Sequence, residues 1–199
     1  MAIVGKPEAD SKQRDAIVDK AMHLFGKQGF NGTTMRDIAN AVGILPGSLY
    51  AHINGKEALL LEIVTDGINR FNSAASLQAN TEHDPVVRMR NMIIAHIQVV
   101  ADNPERSQVV FHQWRYLDEG NIPEALARRR EYEDYFIDVF KSGVESGQFR
   151  SDVNLRISVL SILGALNWTP EWYSSNGKFS PTEIGENMAD SLLSGIIVT

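Results

Sequence analysis

Along most of the chain apolar positions recur at spacings of three and four, and the alternating runs that build strands are scarce. Ile17, Ala21, Leu24 and Phe25 make one such face, on a helix that Asp10 and Ser11 are placed to cap and Gly29 to close. Phe30-Asn31-Gly32 reads as a turn, and Thr33-Thr34 offers the N-cap of a second helix that runs through Val42 to Gly43. Ser48 to Ile53 reads as a short third helix closed by Asn54-Gly55, and a long fourth starts at Lys56-Glu57 and passes Phe71. Further helical stretches run from Pro85 to about Ala101, Pro104 to about Leu117, Pro123 to about Ser146 and Val153 to about Ser174. Pro181 opens a last helix, whose apolar side is Met188, Leu192, Leu193, Ile196 and Ile197. Pro85, Pro104, Pro123 and Pro181 fall near helix starts, where a missing N–H costs nothing. Pro170 falls inside the Val153 stretch and is expected to kink it. The pattern predicts an all-α fold of about nine helices, without repeats or low-complexity segments.

Charge divides the chain unevenly. The overall net charge of −6 speaks against nucleic acid as a partner. Residues 1–56, however, carry seven Lys/Arg against five Asp/Glu, and residues 57–199 carry twelve against twenty. A mildly basic head on an acidic body lets one end approach phosphates. The chain thus divides into a three-helix head over residues 1–55 and a larger helical body over residues 56–199.

Composition narrows the chemistry. The chain has no cysteine, which excludes disulfides, thiolate metal sites and a cysteine nucleophile, and suits a reducing cytoplasm. The opening MAIVGKPEADSKQ is too polar for a signal peptide, and no apolar run is long enough to span a bilayer. Gly-rich phosphate loops, Glu-x-x-His pairs and Gly-x-Ser-x-Gly elbows are absent, so an enzyme is not expected. His96 and His112 read as core histidines among apolar neighbours; neither a metal nor a cofactor is expected.

The densest signal lies between residues 33 and 57. Ile38, Ala39 and Val42 give the second helix an apolar face, and small Ala39 permits a close helix crossing. Gly43 supplies a turn at low steric cost. Leu49 and Ile53 are spaced to bury the third helix, which leaves Leu45, Pro46, Gly47, Ser48, Tyr50 and His52 at its start and outer face. This is the physical pattern of a helix-turn-helix. A plain reading also exists: Tyr50 and His52 could cover the helix pair, and Lys56 and Glu57 could only start the next helix.

The segment GFNGTTMRDIANAVGILPGSLYAHINGKEALLLEI resembles the DNA-binding head of the TetR family of bacterial regulators. The resemblance implies a DNA-binding transcription regulator, most often a repressor, acting as a homodimer on double-stranded operator DNA in the cytoplasm. It implies that Thr34 caps the second helix and touches a phosphate, and that Arg36 reaches a base edge or phosphate. Ser48, Tyr50, His52 and Lys56 would contact the DNA backbone. Leu45, Pro46 and Gly47 stand where the family reads bases, here without hydrogen-bonding side chains, so thymine methyls and groove shape must carry more.

In that family the last two helices pair with their copies to form a four-helix bundle. Small residues Ser158, Ser161, Gly164 and Ala165 among Leu160, Ile162 and Leu163 fit such a contact, as do Ala189, Ser191, Ser194 and Gly195. The middle helices supply aromatic and polar residues for an effector pocket: Phe71, His96, Phe111, Trp114, Arg115, Arg130, Tyr135, Asn167, Trp168 and Trp172. FHQWRYL, RRREYEDYFIDVFKSGVESGQFR and ALNWTPEWYSSNGKFSPTEIGENMADSLLSGI resemble the branch of the family that responds to acyl-CoA thioesters. That implies an acyl tail among the aromatics and phosphates on Arg115, Arg128, Arg129 or Arg130, although the Arg128–Arg130 run also reads as a solvated, salt-bridged face. Glu171 departs from the pattern, because related sequences often carry a basic residue before the Trp-Tyr pair. Two other readings stay open: an uncharged apolar effector controlling an efflux or detoxification gene, and a constitutive DNA-binding protein without an effector.

Overall fold

The computed structural model describes residues 6–81 and 84–198; the first five residues of the polar opening segment lie outside it. Among the described residues the fold is all-α, with nine α-helices and no strand. These are α1 (Lys6–Gln28), α2 (Met35–Val42), α3 (Pro46–Leu49), α4 (Lys56–Ala79) and α5 (Pro85–Asp102). They continue with α6 (Pro104–Gln108), α7 (Ile122–Glu145), α8 (Leu155–Asn167) and α9 (Pro181–Leu193). No described helix is long and apolar enough to cross a membrane.

Local chemistry sets most of these boundaries. The Asp84 carboxylate accepts from the amides of Val86 and Val87 at 2.8 and 3.2 Å, and the Asn103 side chain from that of Arg106 at 2.8 Å. Each of these caps precedes a proline at the first helical position, where no donor is wanted. Ser180 and Glu183 cap α9 reciprocally, and Glu183's carboxyl is held below the usual range by the Ser180 amide and hydroxyl.

Five expectations are corrected. The first helix already runs from Lys6, so Asp10 and Ser11 lie inside it and cannot cap it. The third starts at Pro46 and ends at Leu49, and hydrogen-bonded turns carry the chain on to Ile53. The helix from Pro104 lasts five residues and passes into a π-helical turn, Val109–Gln113, then a 3₁₀ turn, Trp114–Tyr116. The wide turn buries both Val109 and Val110. Pro170 ends α8 rather than kinking it, because it lacks the N–H and its ring opposes the carbonyl four residues back; a single 3₁₀ turn, Thr169–Glu171, comes next. Ile196 and Ile197 lie beyond α9, where the Arg150 amide donates to the Ile196 carbonyl at 2.8 Å.

Two apolar clusters hold the helices. One joins the face of α1, Ile38, Ala39, Leu49 and Ile53 to Leu59–Phe71 of α4 and to Val109 and Val110. The other joins α5, α7, α8 and α9 around Met89, Ile93, Phe136, Phe140 and Leu166. The helix α4 therefore contributes to the head's core and, through Ala75 and Ala79, to the body's.

Gly67 lets the π-helical turn lie directly on α4: a Cβ there would collide with the Val110 side chain. Gly67→Val is expected to cost about 1–3 kcal/mol through overpacking and to lower Tm by several degrees in a thermal melt. An unchanged Tm would show slack between these segments.

Candidate nucleic-acid interface and ligand cavity

The head presents its polar residues on a rigid frame. Thr34 Oγ1 accepts from the Asp37 amide at 3.2 Å, while the Asp37 carboxylate accepts from the Thr34 amide and hydroxyl at 2.9 and 2.6 Å. These bonds hold the Asp37 carboxyl below its usual range, so the box loosens as pH falls through that lowered value. Ile38 and Ala39 are fully buried on the inner side of α2. Gly43 closes the helix at φ 80°, a left-handed conformation in which its amide returns to the Ala39 and Asn40 carbonyls.

Leu49 is fully buried and Ile53 nearly so, which fixes the rotation of α3. The opposite side is open: Leu45 is 76% exposed and Tyr50 58%, and Pro46, Gly47 and Ser48 are exposed with them. Thr34 and Arg36 are exposed at the start of α2, and His52 is half-buried. The arrangement is two helices crossing at a glycine turn, the second set into the core by two residues, with polar and small groups outward.

Lys56 sits differently from the expectation of a free phosphate contact. Its ammonium donates to the carbonyls of Phe30 and Thr33 at 2.9 and 3.0 Å and lies 4.1 Å from the centre of the Phe30 ring. Two of its three donors thus tie the start of α4 to the turn that precedes α2, leaving one for a phosphate. The same turn is gripped from the body: the Phe30 amide donates to Gln113 Oε1 at 3.1 Å, and Tyr116 stacks on the Phe30 ring.

A cavity of about 430 Å³ lies among α4, α7, α8 and the π-helical turn. Its walls are Ile68 and Phe71 of α4, Val110 and Phe111 of the turn, Leu126, Arg129, Arg130, Tyr132 and Glu133 of α7, and Arg156, Leu160, Leu163, Gly164 and Asn167 of α8. Arg130, Arg156, Leu160 and Gly164 are exposed and mark its open side. The walls are mainly apolar with a few polar groups, the composition of a small-molecule site.

Of the residues expected to meet an effector, Phe71, Phe111, Arg130 and Asn167 line this cavity. His96, Trp114, Arg115, Tyr135, Trp168 and Trp172 do not line it. Trp114 packs under the Arg129 guanidinium at 5.1 Å, Arg115 lies over the same ring, and the Tyr135 hydroxyl donates to Glu131 at 3.3 Å. Trp168 and Trp172 are exposed. His112 is an exposed residue rather than a core histidine, and its Nε2 meets Glu171 at 3.0 Å. Glu171 accordingly faces His112 and does not line the cavity. Arg129, one of the arginines the resemblance offers for phosphates, lines it too, whereas Glu133 and Arg156 were not expected there, though a helical signal for part of the set existed: Leu126, Arg129, Arg130 and Glu133 stand at i, i+3, i+4 and i+7.

His96 is a core histidine behind the cavity. It is buried against Phe71 and Phe111, and its Nδ1 meets the Tyr132 hydroxyl at 2.7 Å. Burial pushes its pKa down to about 3, so it is neutral at physiological pH, and the same burial raises the Tyr132 hydroxyl. The unfolded chain takes up this proton near pH 6.5 and the folded chain only near 3, so the contribution is complete above 6.5 and lost as pH falls. Denaturant unfolding is expected to lose about 1 kcal/mol per pH unit below about pH 6, and His96→Phe to flatten that slope. Equal slopes in both proteins would place the titration elsewhere.

Among the described residues, one apolar face has no cover. Ile157, Leu160 and Trp168 of α8 are 60, 43 and 59% exposed, with Ser161 and Gly164 between them on the same side.

Comparison with known proteins agrees with this anatomy. The model of the bacterial regulatory proteins of the tetR family matches residues 17–63, and that of the tetracyclin repressor-like C-terminal domain matches residues 82–196. The chain is 26% identical over 194 residues to the HTH-type transcriptional repressor KstR2 of Mycolicibacterium smegmatis, covering 96% of this chain and 93% of that protein. It superposes on the ketosteroid transcriptional regulator KstR2 of Mycobacterium tuberculosis with a TM-score of 0.88 at 22% identity, over 94% of this chain and 95% of that one. AibR, solved in complex with isovaleryl coenzyme A and operator DNA, superposes with a TM-score of 0.79 at 25% identity, over 90% of this chain and 97% of that one. With family models over both its head and its body, the chain belongs to the TetR family of DNA-binding transcription regulators.

Proposed function

We propose that this protein is a homodimeric, ligand-released repressor whose effector binds in the cavity between α4, α7 and α8. Residues 1–55 act as the DNA-binding unit and residues 56–199 as the ligand-binding and dimerising unit. Two heads related by a two-fold axis read two half-sites about 34 Å apart on operator DNA. The apolar stripe of α8 is covered by the second copy. The protein works by binding alone, without catalysis, and in the cytoplasm, where a transcription regulator meets its DNA.

One observation carries this reading. The helix α4 begins at Lys56, bonded to two carbonyls of the head's turn, and about three to four turns later supplies Ile68 and Phe71 to the cavity wall. A molecule that moves Phe71 thus acts on the element that holds the head. Effector binding shifts the population toward a shape with altered head spacing, by no more than its differential affinity for the two shapes. The effector is an acyl-CoA thioester, a reading supported by the likeness to AibR, and Glu171, engaged by His112, does not oppose it.

The test is fluorescence anisotropy on labelled DNA from upstream of the protein's own gene, titrated at fixed salt and then challenged with CoA thioesters of different acyl groups. Release by one thioester and not by free CoA is the expected result. Binding that no thioester disturbs would remove the acyl-CoA effector and point to an uncharged apolar one.

A further inference from the structure

We infer that the cavity takes an amphipathic anion whose acidic group pairs with Arg129. The inference rests on reading the cavity as the effector site and goes on to the chemistry of its occupant.

Arg129 lines the cavity from the middle of α7 and is only partly accessible. Its guanidinium lies 5.1 Å over the Trp114 ring and makes one hydrogen bond, a 3.3 Å donation to the Val110 carbonyl. Five donors are available on such a group, so most of them stay unused. Among the described residues no carboxylate pairs with it. Elsewhere in the body Arg70, Arg90, Arg106, Arg128 and Arg150 each meet one within 3.3 Å. Burial disfavours the Arg129 cation, and nearby Arg115 adds repulsion. Glu133, one turn further along α7, also lines the cavity but leans to Arg156 at 3.9 Å.

A partly buried cation without a counter-ion is costly unless something supplies the charge. The cavity holds Arg129, Arg130 and Arg156 against the single carboxylate of Glu133, so the charge it lacks is negative. Ile68, Phe71, Phe111 and Leu163 give the rest of the space an apolar lining. A chain or ring bearing a carboxylate or phosphate satisfies both, with bidentate geometry open to the guanidinium fork.

Isothermal titration of the full-length protein with decanoate, decyl phosphate and decanol tests this, alongside ligand-free melting of Arg129→Met. At least one anion is expected to bind roughly tenfold or more tightly than decanol. Preference for decyl phosphate assigns a phosphate-bearing effector, as a CoA thioester is, and preference for decanoate assigns a free carboxylic acid in place of the thioester. Arg129→Met is expected to lose the preference for the anion and to melt higher without ligand, because an unpaired buried charge has gone. Arg128→Met, outside the cavity and paired with Glu124, keeps the preference. Equal or stronger binding of decanol, binding of none of the three, or a preference that survives in Arg129→Met overturns the inference. A lower ligand-free melting temperature in Arg129→Met overturns it too, since Arg129 would then be a structural strut on Trp114. Failure of the repressor reading shows separately, as the absence of operator binding in the anisotropy titration.

Discussion

Arg36→Ala is expected to weaken operator binding by roughly 5- to 150-fold, the range of about 1–3 kcal/mol that one arginine contact to a base edge carries. Arg36 is exposed on the first turn of α2, beside the Thr34–Asp37 box, and the helix is held from its other side by buried Ile38 and Ala39. Removing its side chain takes nothing from the core, so the variant should melt with the wild type. The salt dependence of binding separates two kinds of contact. Loss of a base contact lowers affinity for the operator more than for unrelated DNA, whereas loss of a phosphate contact lowers both and reduces the salt slope by about one. Wild-type affinity in Arg36→Ala would remove it from the interface. Tyr50, more than half exposed beside fully buried Leu49, should behave in the same way as a backbone contact.

Ile157→Asp is expected to convert the dimer to monomer and to lower operator affinity by about a hundredfold or more. Ile157 lies on the exposed side of α8 with Leu160, Ser161, Gly164 and Trp168, at helical spacing. Among the described residues these groups leave an open apolar face, and large patches of this kind mark contact surfaces. A carboxylate there would be buried without a partner in a dimer and solvated in a monomer, so its cost falls on association. A monomer holds one head, and the second half-site's contribution, which tethering makes effectively intramolecular, is lost. Sedimentation velocity gives the assembly state and anisotropy the affinity. A dimer that persists in Ile157→Asp would place the two-fold contact on another face.

The head was legible in sequence because its signals are local. Thr34, Gly43, Leu49 and Ile53 set cap, turn and buried face within about twenty residues of one another, and each does so in the structure. The end of α3 was not, since Tyr50 to Ile53 continue the helical pattern but are held only by turn hydrogen bonds. Pro170 announced a break, yet whether a proline kinks or ends a helix depends on the residues after it, and here Trp172 to Ser180 form no further helix.

The cavity was half legible. Aromatic composition pointed to Phe71 and Phe111, but also to Trp168 and Trp172, because composition does not say which side of a helix faces inward. The π-helical turn was invisible: Val109-Val110-Phe111 suits a regular helix equally well, and the widening answers tertiary packing against Gly67. Lys56 reads as a DNA contact in sequence because nothing local reveals the Phe30 and Thr33 carbonyls it reaches across the head. Long-range contacts of this type make up the part of the site that spacing cannot show.

The central claim is that α4 carries cavity occupancy to the heads, and the distance between heads tests it most directly. The chain has no cysteine, so Lys27→Cys, exposed in the last turn of α1, gives a single labelling position per subunit. Pulsed electron resonance on the spin-labelled dimer, with and without the thioester that releases DNA, reads that distance. A displaced distance distribution on adding the thioester, reversed by adding operator, is the predicted result. An unchanged distribution, while the same thioester frees the DNA, would contradict the account.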